Sequence, residues 1–363
     1  MTIQITINDI AIVAQEGQTI LSVADEQGMR IPTLCFHRDL TSTGNCRMCV
    51  VEVKGQRFLQ AACVTTVSSG MEIKTNSERV IKSRKKTLEL MLANHPPDCL
   101  VCDTSGSCEL QDLAYDYQVK VPDWGSKGTK YIVDSDPNPF VRVDFNKCIL
   151  CRRCVLACEE VQGRYVWGVA NRGHEEKIIA GNDTTMLQAR CESCGQCVAY
   201  CPTGALSDRM SYGLGRVHQV RKVLTTCTYC GVGCQFDLNV KNNRIIGVTS
   251  NPKAPVNGMA LCVKGRYGYD FIHHPERLKQ PRVRKYLLDG SAKPENRGDW
   301  IDVDWNTALS ITAKNLCFFR DAYGANTIGV LTSAKCFNEE NYLMNKFARQ
   351  VIGTNNIDHC ARL

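Results

Sequence analysis

The first thirty residues alternate apolar and polar side chains in steps of two, then switch to a helical spacing. Residues 3–13 alternate around Asn8-Asp9, which predicts two short strands joined as a hairpin, since successive strand side chains point to opposite faces. Thr19 is placed to cap a short helix over Ile20 to Gln27, closed by Gly28. The runs Val50-Val51-Glu52-Val53 and Met71-Glu72-Ile73-Lys74 read as further strands, and two hairpins packed on one helix make a β-grasp. From Glu78 to Ala93 the spacing predicts a helix with Val80, Ile81, Leu88, Met91 and Leu92 as its apolar positions. Val121 to Pro139, rich in Pro, Asp and Gly, reads as a linker. After Pro281 the pattern turns α/β. A helix starts at Trp305-Asn306-Thr307-Ala308-Leu309, Thr327 to Leu331 reads as a buried strand, and a helix opening at Asn338 to Tyr342 ends at Gly353.

The loops between these elements are filled with cysteine. Nineteen of the 22 cysteines fall into five groups, and one histidine completes five sets of four. They are Cys35, Cys46, Cys49 and Cys63; His95, Cys99, Cys102 and Cys108; the runs Cys148-Cys151-Cys154-Cys158 and Cys191-Cys194-Cys197-Cys201; and Cys227, Cys230, Cys234 and Cys262. Soft thiolates at spacings of two and three residues select iron–sulfur groups, zinc or copper. A disulfide framework belongs to small secreted domains, and Met1-Thr2-Ile3-Gln4-Ile5-Thr6 shows no basic region before an apolar core. Zinc is the stronger rival, but zinc ribbons join two C-x2-C pairs across a longer loop. The two central runs read C-x2-C-x2-C-x3-C, the ferredoxin arrangement in which the fourth cysteine serves the other cluster. By that rule Cys148, Cys151, Cys154 and Cys201 form one set, and Cys191, Cys194, Cys197 and Cys158 the other. Cys317, Cys336 and Cys360 lie outside the sets and read as small buried residues.

Composition changes this picture little. Hydrophobic residues are 44% of the chain, and no apolar run approaches the roughly 20 residues of a membrane span. A formal charge of +7 suggests nucleic acid until the ligands are counted. Five clusters with their thiolates contribute about −9, leaving a nearly neutral holo-protein. Arg84-Lys85-Lys86 then reads as a solvated helix face and not a nucleic-acid site.

The motifs resemble known families in one consistent order. Residues 1–77, with C-x10-C-x2-C-x13-C in place of the plant-type spacing, look like the β-grasp two-iron domain that opens the large subunit of respiratory complex I and several iron-only hydrogenases. Residues 78–120, with His95-Pro96-Pro97-Asp98-Cys99-Leu100-Val101-Cys102 through Cys108-Glu109-Leu110-Gln111, resemble the histidine-ligated four-iron domain of the same families. Imidazole in place of thiolate removes a negative charge and raises the potential, all else equal. Residues 139–210 resemble a two-cluster ferredoxin. Pro202 follows the second run as the pattern wants, but Glu159 follows the first, and Gly163–Arg190 is an insertion. Residues 220–276, with Cys227-Thr228-Tyr229-Cys230-Gly231-Val232-Gly233-Cys234 and Cys262-Val263-Lys264-Gly265-Arg266, resemble the four-iron domain of molybdopterin oxidoreductases, and among these the formate dehydrogenases. In that family the lysine two residues past the fourth cysteine lies between cluster and pterin, which implies a relay role and pterin contact for Lys264. Residues 277–363 are similar to the start of the pterin-binding domain, and Asn355-Asn356-Ile357-Asp358-His359-Cys360-Ala361-Arg362-Leu363 resembles the segment leading into the catalytic selenocysteine or cysteine.

The resemblance implies an α+β multi-domain chain forming the N-terminal part of the catalytic α-subunit of a cytoplasmic NAD(P)-linked formate dehydrogenase, oxidising formate to CO2 reversibly. One 2Fe-2S and four 4Fe-4S clusters would relay electrons, with tungsten or molybdenum on bis-molybdopterin guanine dinucleotide only in the full-length enzyme. The implied partner is a flavin- and Fe-S-containing NAD(P)H-binding subunit, with ferredoxin or hydrogenase subunits as further candidates. The catalytic selenocysteine or cysteine is expected just after Leu363, where an in-frame UGA would end the reading frame, so this chain alone is expected to lack formate oxidation. The alternatives are the large subunit of a complex I-like NADH dehydrogenase and a stand-alone electron-transfer protein.

Overall fold

A computed structural model describes residues 1–125, 129–290 and 298–360. They fall into two compact units. The first holds residues 1–223, 237–250 and 259–267; the second holds 224–236, 251–258 and the chain from Gly268 onward. Among the described residues no helix is long and apolar enough to cross a membrane.

In the first unit, β1 (Thr2–Ile7) pairs antiparallel with β2 (Ile10–Gln15), Ile7 opposite Ile10. Asn8 and Asp9 both take positive φ, 48° and 69°, the backbone of the two-residue turn that matches strand twist. Helix α1 (Ile20–Glu26) begins at Thr19, whose hydroxyl accepts from the Ser22 amide at 3.1 Å. Strands β3 (Val50–Val53), β4 (Gln60–Ala61) and β5 (Glu72–Lys74) complete a five-stranded sheet in the order β2-β1-β5-β3-β4, with β1 and β5 parallel. Ile5, Ile7, Ile20, Val23, Val51 and Ile73 are buried between sheet and helix. Each such side chain contributes roughly 1.5–3 kcal/mol by leaving water.

Helix α2 spans Glu78–Ala93, capped by Ser77, and buries Val80, Arg84, Leu88, Leu92 and Ala93. This corrects two expectations. Ile81 is exposed, and Arg84 is not part of a solvated face. Positions 80, 84, 88 and 92 form one i+4 row, so Arg84 points inward, donating to Tyr117 Oη at 3.0 Å and the Val50 carbonyl at 2.7 Å. Its stem packs while its two terminal nitrogens find acceptors. Helix α3 (Glu109–Asp116) adds Leu110 and Leu113 to a second core that holds Cys35, Cys46, Cys108 and Cys151.

The next elements are β6 (Val141–Val143), α4 (Arg153–Leu156), β7 (Trp167–Ala170), β8 (Lys177–Ala180), α5 (Gln196–Tyr200) and β9 (Leu206–Asp208). Strand β6 pairs antiparallel with β9. The insertion at 163–190 folds as the β7–β8 hairpin and buries Val166, Trp167, Ile178, Ala180 and Met186 around Cys154, Cys158 and Cys197. The end of the stretch read as a linker, residues 134–138, is fastened down: Arg209 donates to both Asp134 oxygens at 2.7 and 2.6 Å, and Asn138 is fully buried. Strands β10 (Arg221–Thr226), β11 (Gln235–Lys241) and β12 (Arg244–Ser250) form a sheet in that order, followed by α6 (Val263–Tyr267).

In the second unit, β13 (Arg282–Arg284) lies antiparallel to β14 (Trp300–Asp302), with α7 (Tyr286–Asp289) after β13. Helix α8 (Trp305–Tyr323) starts at Asp304, which accepts from the Thr307 amide at 2.8 Å. Strand β15 (Val330–Thr332) pairs in parallel with β16 (Ile357–His359), and α9 (Asn338–Lys346) continues through a wide turn to Gly353 at φ 86°. The strand expected from Thr327 begins only at Val330, and Leu331 is 83% exposed, since its side chain points to the face opposite the buried Val330. Cys317, on α8 where no residue is buried, and Cys360 are likewise exposed and Cys336 is half-buried, against expectation. Ala361, Arg362 and Leu363, part of the tail singled out above, lie outside the described residues.

Candidate iron–sulfur sites

The loop between α1 and β3 carries Cys35, Cys46 and Cys49, and Cys63 follows β4; all four are buried. The amides of Cys35 and Cys46 each donate to the other's sulfur at 3.4 Å, and the Cys49 and Cys63 sulfurs stand 3.4 Å apart. Gly44 (φ 63°) is required here, since a Cβ would come within 3.1 Å of Val64. The hydrogen bond from Cys46 lowers the Cys35 thiol to about 5, and that from Cys63 lowers Cys49 to about 7. Their partners Cys46 and Cys63 are correspondingly raised. The sulfurs thus lie in close buried pairs, a donor set suited to a metal core.

His95 follows α2, and its Nδ1 is buried with no hydrogen-bond partner. Burial lowers its pKa and holds the imidazole neutral, the form that ligates. An orphaned ring nitrogen costs free energy, and a metal would satisfy it. Cys99 is exposed, Cys102 half-buried and Cys108 buried, where desolvation pushes its thiol up to about 11.

The two ferredoxin runs fold alike. Leu150 and Arg152 take φ 54° and 65°; Ser193 and Gly195 take 54° and 73°. These left-handed residues turn the Leu150 amide onto Cys148 Sγ at 3.4 Å and the Ser193 amide onto Cys191 Sγ at 3.3 Å. The runs exchange their last cysteines. Cys148, Cys151, Cys154 and Cys201, with Pro202, line one enclosed cavity of about 20 Å³. Cys158 lies instead in the electrostatic neighbourhood of Cys191, Cys194 and Cys197. Burial pushes Cys148 up to about 12 and raises Cys151, Cys154 and Cys197 further. Thiols packed this closely away from water need a cationic core to ionise.

Of the fifth set, Cys227, Cys230 and Cys234 belong to the second unit, where the Cys227 amide donates to the Cys234 carbonyl at 2.7 Å. Cys262 belongs to the first unit and is exposed, and Lys264 is exposed on α6.

Three buried cations beside these cysteines escaped sequence reasoning. Arg153, 4% exposed at its side chain, forks onto Glu109 at 2.6 and 2.9 Å and donates to the Phe36 carbonyl at 2.7 Å. Arg266 donates to the Cys194 carbonyl at 2.9 Å and to Ser250 Oγ at 3.0 Å. Lys147 lies 3.5 Å from Cys102 Sγ. The signal available was a basic residue flanking a ligand cysteine: Lys147 precedes Cys148 and Arg153 precedes Cys154.

Five family patterns match in succession: the 2Fe-2S iron-sulfur cluster binding domain (1–78), the NADH-ubiquinone oxidoreductase-G iron-sulfur binding region (84–122), the ferredoxin-like domain of NADH-quinone oxidoreductase subunit 3 (138–207), the molybdopterin oxidoreductase Fe4S4 domain (220–274) and molybdopterin oxidoreductase (277–363). The chain is 37% identical to the NADPH-Fe(3+) oxidoreductase subunit alpha of Geobacter sulfurreducens, over 99% of this chain and 40% of that protein. With a G-type NADH-quinone oxidoreductase chain of Rhizobium meliloti it shares 34% identity over 99% and 40%. With a formate dehydrogenase-like protein of Staphylococcus aureus it shares 30% over 99% and 39%. It thus spans about 40% of the length of these relatives. A solved NAD+-reducing [NiFe]-hydrogenase aligns with TM-score 0.52 and 29% identity, over 59% of this chain and 91% of that one. With iron–sulfur and molybdopterin domains following one another along its length, the chain belongs with the molybdopterin oxidoreductase and NADH-quinone oxidoreductase G-like proteins, a group with formate dehydrogenase-like members.

Proposed function

We propose that this chain is the electron-transfer region of an NAD(P)-linked, cytoplasmic formate dehydrogenase α-subunit. The observation that carries the iron–sulfur part is the donor chemistry: buried and half-buried thiols gathered in the Cys35, Cys148 and Cys191 sets, and a buried His95 Nδ1 without a hydrogen-bond partner, four residues before Cys99. The ligands would be Cys35, Cys46, Cys49 and Cys63 for a two-iron group, and the four other sets for four-iron groups. When bound, such groups supply one-electron storage without bond making. The protein's part is to exclude water, hold the thiolates with backbone amides and offset their charge with Lys147, Arg153 and Arg266. Lys264, two residues past Cys262, favours a pterin-linked formate enzyme over a complex I-like subunit, and a flavin-bearing NAD(P)H-binding subunit would be the electron partner. The match of residues 84–122 and 138–207 to NADH dehydrogenase patterns supports the complex I-like reading as the second one.

Anaerobic reconstitution followed by iron and acid-labile sulfide assay tests the ligand sets, with about 18 irons per chain expected. Stoichiometric zinc would sink them. His95→Ala should remove or alter one paramagnetic signal and spare that of the Cys35 set. Formate-dependent NAD(P)+ reduction by the complete subunit with its partner tests the substrate, and iron-replete enzyme inert to formate but active as an NADH dehydrogenase would favour the second reading.

A further inference from the structure

Lys147 is 6% exposed and reaches across two ligand sets. Its backbone belongs to one: Cys148 follows it, and its carbonyl accepts from Thr203 Oγ1 at 2.8 Å, two residues past Cys201. Its head belongs to the other. Nζ lies 3.5 Å from Cys102 Sγ, 3.0 Å from Asp98 Oδ2 and 3.6 Å from Asp144 Oδ2. Asp98 directly precedes Cys99, and its second oxygen is buried without a hydrogen bond. Burial works against the ammonium, but the bond to Asp98 and the Cys102 charge outweigh it, so the lysine stays protonated.

We infer that Lys147 sets the reduction potential of the group held by His95, Cys99, Cys102 and Cys108, and so biases a transferred electron toward that set over the neighbouring Cys148 set. The inference rests on reading those residues as cluster ligands. Reduction adds one electron and one negative charge, with no bond formed or broken and no proton required. A cation donating N–H to a ligating sulfur stabilises the more negative, reduced state. Histidine for cysteine acts in the same direction, since it deletes a negative charge from the same site. The two aspartates oppose it, and Lys147 is what offsets them. Removing the lysine deletes a positive charge and a hydrogen bond to the sulfur and leaves both carboxylates without the cation that offsets them.

The test uses the whole reconstituted chain, titrated with dithionite and followed by paramagnetic resonance, with the relevant signal identified as the one lost in His95→Ala. Lys147→Met should shift the reduction equilibrium of that signal at least about tenfold toward the oxidised form, 59 mV lower for one electron. Asp98→Asn should move it the opposite way, Lys147→Arg should keep it near the original value, and the Cys35-set signal should not move. Lys147→Met and Asp98→Asn proteins with full iron and unmoved midpoints overturn the inference. If Lys147→Met fails to hold iron, Asp98→Asn decides alone, and an unmoved or lowered midpoint there overturns it. If no signal depends on His95 in iron-replete protein, the ligand reading itself fails, and the inference with it.

Discussion

Helix α2 buries five of its 16 residues, whereas α8, 19 residues long, buries none. Both have sound caps and mixed apolar and polar positions, so the difference is not local. In the first unit each apolar row meets a sheet, a second helix or a cysteine loop. In the second, Trp305, Leu309, Phe318, Phe319 and Tyr323 stay exposed among the described residues. A capped amphipathic helix records that a core-facing side exists, and burial needs the partner as well. The first unit meets that need with cysteine-bearing loops as well as ordinary apolar contacts.

Metal removal should widen the contrast most. If the cysteine sets hold clusters, binding free energy is partly folding free energy. Stripping iron should then abolish amide protection across residues 1–276 while altering residues 277–363 far less. Hydrogen exchange on apo and holo chains measures this, and equal change in both would break the comparison. Next in size are core truncations. Leu88→Ala, at a fully buried site in α2, should cost about 2–5 kcal/mol by transfer and cavity terms. Leu309→Ala, exposed on α8, should fall within about 0.5 kcal/mol of zero. Denaturant midpoints of the two variants decide, and similar losses would show that α8 is covered in solution. Arg153→Met should lower the midpoint by an amount equivalent to about 2–3 kcal/mol, less than a fully buried pair would, because the Glu109 side chain is 45% exposed. The smallest effect is Thr19→Ala, which removes one cap bond to Ser22 and should cost about 1 kcal/mol, detectable as a small shift of the same midpoint.

Local signals were legible in the chain itself. The Asn8-Asp9 turn, the Thr19 cap and the span of α2 follow from neighbours a few residues apart, and structure and spacing agree on them. The crossover of the ferredoxin runs was also legible, because C-x2-C-x2-C-x3-C leaves its last cysteine facing away from the first three. Arg84 was not. Its acceptors, Tyr117 and Val50, lie 33 and 34 residues away, and periodicity carries no information about such partners. The same holds for Arg153 and Glu109, 44 residues apart. Gly163–Arg190 read as an interruption because its β7–β8 hairpin packs around cysteines on either side of it in sequence. The exposed Cys317 and Cys360 show the reverse error, apolar character mistaken for burial.

Arg153 carries one more consequence. Its three anchor points, Phe36, Glu109 and its own backbone, each adjoin a candidate ligand: Cys35, Cys108 and Cys154. Were any one of the three loops out of place, the guanidinium would sit in a dry pocket with acceptors missing, a strongly unfavourable state. The clamp therefore works as a coincidence detector for assembly. Both terminal nitrogens find their acceptors only when the Phe36 and Glu109 loops stand in place beside the Cys154 turn, so a chain with one of them still open differs from a finished one by a guanidinium short of partners.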